Sequence, residues 1–178
     1  MNDIAHPEFK LTRKFDPQRS RHFLNGVQSV LHCHHYATLY SQLADDAEIV
    51  DGKKLLRESA EQACLAPLVS YYADHGIESV EDRIAIGEAY YSAMGLGVLK
   101  VTGLGCAAGR AELTRSHVDE GWKKKWGEKN TPINFITQGY VAALFSAVLG
   151  LPAGTFTVTE TQSIVSGAEK SVFSAVRV

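Results

Sequence analysis

The chain has 178 residues, 45% of them apolar and 21% charged, with a formal net charge of −2. That is enough for one ordinary core and short for two domains, and no strong field favours nucleic acid or an anionic lipid surface as a partner. No run of about 18 apolar residues marks a membrane span, and Cys33, Cys64 and Cys106 are too few and too scattered for a disulfide framework.

Residues 1–15 read as a polar lead-in segment that lacks the apolar stretch of an export signal, so a cytoplasmic setting with free thiols is expected. The domain proper is expected over 16–178. Asp16-Pro17 has the form of a helix start, an Asp cap followed by proline in the first turn. A first helix is predicted from there to about residue 45, with Leu24, Val27 and Leu31 spaced by three and four. Asp51-Gly52 is a turn, and a second helix is predicted over 53–74, with a kink or early stop at Pro67. Ser79 to Asp82 opens a third helix in capping-box style.

The periodicity changes at Gly95. Residues 98–104 and 111–116 read as two strands joined through a glycine-rich turn that contains Cys106. Residues 117–130 are polar and carry both tryptophans, which suggests a solvated loop or a lid over a pocket. Thr131-Pro132 is predicted to open a fourth helix that ends at Leu149-Gly150. Two further strands, 155–164 and 171–178, are rich in Val, Thr and Phe. The order implies an α+β fold, a four-stranded antiparallel sheet packed with about four helices in a single domain.

The C-terminal third carries a more specific signal. Gly139-Tyr140-Val141-Ala142-Ala143-Leu144, the Leu149-Gly150 stop, Val158-Thr159-Glu160-Thr161, Gly167 and Phe173 follow one another in a distinctive order. In this pattern the chain resembles the 4-vinyl-reductase-type, hydrocarbon-binding domain family. The resemblance covers about residues 130–178 in detail and 20–130 in element order. It implies an apolar cavity between helices and sheet, a small hydrophobic ligand and a homodimer. Metal-binding members of the family carry a Glu followed by two Cys. Here Glu160 is followed by Ser163 and Ser171, and a serine hydroxyl is a poor zinc ligand. The family's zinc site is therefore expected to be lost.

His32-Cys33-His34-His35-Tyr36 is the stretch most able to carry chemistry. On a helix His32 and His35, or His32 and Tyr36, share a face. A zinc or iron site would draw on His32 and His35, with Cys106 and His117 as further ligands. The bland alternative is one packed histidine beside solvated ones. Cys33 as an activated nucleophile is disfavoured, because adjacent helical residues point about 100° apart. Cys64 reads as a core thiol. The expected ligand-binding set is His34, His35, Tyr36, Tyr140 and Glu160, lining a chamber between the first and fourth helices.

Three functions compete on this reading. The first is binding of a small hydrophobic or aromatic molecule in an enclosed pocket, as a sensor or carrier. The second is a metal-assisted or acid–base enzyme using the His32–His35 cluster on such a ligand. The third is a structural adaptor with no ligand and an apolar surface patch.

Overall fold

The computed structural model describes residues 7–30 and 33–178. It begins with a small antiparallel meander, β1 (Arg13–Asp16), β2 (Arg21–Leu24) and β3 (Val27–Ser29), where a helix was predicted. The reason is local. Asp16 does accept hydrogen bonds from Gln18 and Arg19 N–H (3.0 and 3.2 Å), as a helix cap would. It closes a tight turn instead, with Ser20 at φ 52°. Asn25-Gly26 then forms a two-residue hairpin turn, with both residues at positive φ and Leu24 paired to Val27. Asn-Gly is the pair best suited to that turn, and it overrides the helical spacing of the apolar residues. Among the described residues, only α1 (His34–Asp45) of the long helix forms.

The segment before the meander is anchored rather than loose. Phe9 lies against the rings of Tyr71 and Tyr90, at 5.0 and 5.4 Å between centroids. Lys10 N–H donates to the Tyr71 hydroxyl (2.8 Å), and β1 starts at Arg13, inside the stretch read as lead-in.

Helix α2 (Gly52–Asp74) is capped by Asp51, whose carboxylate accepts from Lys54 N–H (2.9 Å). It runs through Pro67 without stopping. Helix α3 (Val80–Ala93) is capped by Ser79, as the sequence indicated. Strands β4 (Gly97–Leu104) and β5 (Ala108–Ser116) make the first hairpin of the main sheet. Residues 117–126 are not a loop: they form α4 (His117–Trp126). Its cap is Ser116, which accepts from Asp119 N–H (3.0 Å). Trp122 is buried with Ala37, Val118, Ile133 and Val165 in a minor core, so it is no lid.

Helix α5 (Phe135–Leu149) starts three residues later than Thr131-Pro132 suggested, capped by Asn134. It ends at Gly150 in the left-handed conformation. Strand β6 (Phe156–Gln162), a 3-10 turn at Ile164–Ser166 and strand β7 (Ser171–Arg177) complete the chain. The main sheet is antiparallel with order β4-β5-β7-β6. The described residues thus give five helices and two sheets, α+β as expected but with one more helix and one more sheet.

Helix α5 is the hub. It is buried along nearly its whole length and packs on α2, α3, β6 and β7. Its crossing with α2 depends on Gly139: a Cβ there would sit 2.2 Å from the Arg57 carbonyl oxygen and 2.7 Å from Ala60 Cβ. Among the described residues, no helix is long and apolar enough to cross a membrane.

Candidate functional site

The predicted site residues do not converge. His32 lies outside the described residues. His34 opens α1, its ring 4.3 Å from that of His35 and 5.8 Å, edge-on, from that of His117. A polar hollow of about 190 Å³ adjoins His34 and His117 and is also lined by Glu120 and Lys124. Tyr36 is 54% exposed on the outer side of α1, near exposed Tyr40 and Leu43. Cys106 sits exposed in the β4–β5 turn. His117 follows the other end of β5, roughly 25 Å away at the rise of a strand, so the two do not share a site. Among the described residues, no group of three or more His, Cys, Asp or Glu is placed to hold a metal.

Among the described residues, α1 packs on α4 and α2 and not on α5, so the two helices do not wall the expected chamber. The main core around α5 is filled by side chains: Tyr91, Tyr140, Phe145 and Phe173 are all at most 1% exposed. Tyr140 spends its hydroxyl inside this core, donating to the Gly87 carbonyl (2.7 Å).

Glu160 belongs to a buried polar network. Along β6 the inward set is Phe156, Val158 and Glu160, so strand alternation itself places the carboxylate on the core face. Asn134 is the centre of the network. Its Nδ2 donates to Ser116 Oγ (2.9 Å) and to Asp119 Oδ2 (2.8 Å), and its backbone N–H donates to Glu160 Oε2 (3.3 Å). Its Oδ1 accepts the Thr137 hydroxyl (2.6 Å). Thr137 has thereby given its proton, so Tyr91 must be the donor in the 2.7 Å contact between their hydroxyls.

Burial drives both acids toward the neutral form. Asp119 is raised from its ordinary value, first by loss of water. Glu160 is pushed up to about 7, by burial first and by the charge of Asp119 second. The hydroxyls of Ser171 and Ser163 and the Asn134 N–H pull it back only in part. This donor set does not fit zinc. It offers one carboxylate and two hydroxyls, and Ser171 Oγ already accepts from Ile164 N–H (3.0 Å).

A different place has the character of a binding site. The meander faces α2 and α3 across a cleft, in two adjoining parts of about 160 and 200 Å³. The smaller part is apolar, walled by Phe9, Leu24, Val27, Cys64, Tyr90 and Met94. The larger part is more polar and is edged by Lys10, Tyr71, Asp74 and His75. Asn25, Val27, Pro67 and Tyr90 border both. Burial pushes the Cys64 thiol up to about 11, so it stays protonated and unreactive.

Two polar groups of this cleft lack their usual partners. Asn25 Nδ2 is buried without a hydrogen bond. Pro67 has no N–H to donate to the carbonyl of Ala63, four residues before it in α2, and both residues line the apolar part. A donor and an acceptor without their usual partners therefore belong to residues that line a hollow of ring size; an apolar cavity of about 150 Å³ is large enough for benzene. Sequence reasoning missed this site because it placed residues 16–30 on a helix. The Asn25-Gly26 pair was the signal that would have found it.

No protein-family model matches the sequence, and no curated protein matches it. Solved structures do resemble the fold. The phenol-responsive sensory domain of the transcription activator PoxR, solved with phenol, aligns over 93% of this chain and 84% of its own, with TM-score 0.75 and 13% identity. A vinyl-4-reductase family protein from Methanocaldococcus jannaschii aligns over 84% of each chain, with TM-score 0.54 and 18% identity. A trafficking protein particle complex subunit 3 from Naegleria fowleri, covalently bound to palmitic acid, covers 82% of this chain and 94% of its own, with TM-score 0.53 and 12% identity. The architecture is therefore the one that the C-terminal sequence pattern resembles, and at these identities the likeness is one of fold.

Proposed function

We propose that this chain is a binding module for one small aromatic molecule bearing a hydroxyl group, a sensor or carrier rather than a catalyst. The observation that carries this reading is the unpartnered Asn25 Nδ2 at an apolar, ring-sized cleft, which is also lined by Ala63, the residue whose helical carbonyl loses its usual donor at Pro67. A hydroxyl both donates and accepts, so it matches the two groups at once. Phe9, Leu24, Val27, Tyr90 and Met94 would take the ring. The shared fold with a phenol-responsive domain supports the ligand class.

Calorimetric titration with phenol, p-cresol and toluene tests the proposal. Saturable binding of the two phenols, with toluene weaker, is expected. Ala63→Trp should abolish it: Ala63 is exposed enough for the fold to accept a large side chain, which then fills the cleft. Binding that survives this substitution, or no binding by the unaltered protein, contradicts the reading.

A further inference from the structure

The buried acids Asp119 and Glu160 have no role in the cleft, yet their surroundings are unusual. Asp119 is fully buried and Glu160 is 5% exposed. They are neighbours, because the single residue Asn134 hydrogen-bonds to both. On each carboxyl Asn134 satisfies one oxygen, and the other has no donor in good hydrogen-bond geometry: Val165 N–H stands near Asp119, and the hydroxyls of Ser163 and Ser171 stand near Glu160. The groups that face them come from every adjoining element. They are Tyr91 from α3, Ser116 before α4, Asn134 and Thr137 at the start of α5, Ser163 in the turn and Ser171 from β7. Among the described residues, neither carboxyl is hydrogen-bonded or ion-paired to a lysine, arginine or histidine.

Two ionised carboxylates in such a place would repel each other in a dry interior with no cation to offset them. Each would also leave one oxygen with only poorly aligned donors. One proton relieves both problems. It removes one charge and turns an unpartnered carboxyl oxygen into a donor for the acceptors beside it.

We propose that Asp119 and Glu160 hold a single proton between them at neutral pH, and that this shared proton fastens α4, the start of α5 and the Ile164–Ser166 turn to the sheet. The donor set there does not suit zinc, so the joint is closed by a proton and not by a metal. Loss of that proton loosens α4, and with it the minor core around Trp122.

The carboxyl carbon of Glu160 followed by 13C NMR in the intact protein gives the direct reading. A titration near pH 7 is expected, well apart from the exposed glutamates. Glu160→Gln, whose amide imitates the protonated carboxyl, should melt at or above the unaltered protein at pH 8. Glu160→Ala should melt several degrees lower at every pH, and added zinc should leave the melting temperature of the unaltered protein unchanged. A Glu160 that titrates with the exposed glutamates overturns the proposal. So does Glu160→Gln falling as far as Glu160→Ala, or a stoichiometric rise in melting temperature with zinc.

Discussion

Thr12 fixes the side chain of Asn25. Its backbone N–H and its hydroxyl both donate to Asn25 Oδ1, at 2.7 and 2.9 Å, so the amide cannot turn over, and Nδ2 is left without a partner beside the cleft. The contact ties the segment before β1 to the β2–β3 turn, and it converts a turn residue into a directed donor.

Asn25→Asp isolates that donor. Aspartate tolerates the left-handed backbone at φ 46° and keeps an oxygen for Thr12. It replaces the inward N–H with an acceptor. Phenol binding measured by calorimetry should weaken about 10- to 100-fold, the cost of about 1–3 kcal/mol for a buried polar group left without its partner. The melting temperature should change little.

Gly139→Ala tests the hub of the fold. The added methyl would collide with backbone, the Arg57 carbonyl, and not with a side chain able to swing away. Helices α2 and α5 must then separate. A loss of about 1–3 kcal/mol is expected in urea denaturation, at the overpacking level or above it. Gly76→Ala is the comparison: no atom lies within 4 Å of its added Cβ, so any loss there comes from its positive φ alone.

Stability should fall as pH rises through neutrality. The pKa of Glu160 is raised from 4.5 to about 7 in the folded chain, and Asp119 moves in the same direction. Between those values the folded chain binds the proton more tightly than the unfolded chain does. Stability is therefore greatest below about pH 4.5 as far as this group is concerned, declines toward pH 7 and levels off above it. The total effect is on the order of 3 kcal/mol, read from urea midpoints across the range. Because the two acids interact, the titration belongs to the pair. A profile that rises over the same range contradicts the buried-acid account.

What the sequence showed and what it hid follow from the same physics. The capping of α3 by Ser79, the stop of α5 at Gly150 and the strand pair closing the chain rest on local signals that tertiary packing left intact. The meander was hidden because the spacing of Leu24 and Val27 fits a helix as well as a hairpin. The choice was made by Asn25-Gly26, a turn signal, and by Phe9, whose partners Tyr71 and Tyr90 are far away in sequence. Helix α4 was hidden by its charge: three consecutive lysines mask the face that buries Val118 and Trp122. Glu160 was legible as an inward-facing acid from its place in β6. Its companions Asp119 and Asn134 were not, because only the fold brings them together.

Met94 reports on where the ligand sits. The chain has only two methionines, Met1 and Met94, and Met94 lines the apolar part of the cleft. The protein labelled with 13C at the methionine methyl groups and titrated with phenol should show the Met94 signal move upfield and saturate in step with the calorimetric binding curve. Saturable binding with an unmoved Met94 signal, and nuclear Overhauser contacts from phenol to Tyr140 or Phe145 instead, would place the ligand in the main core and contradict the account.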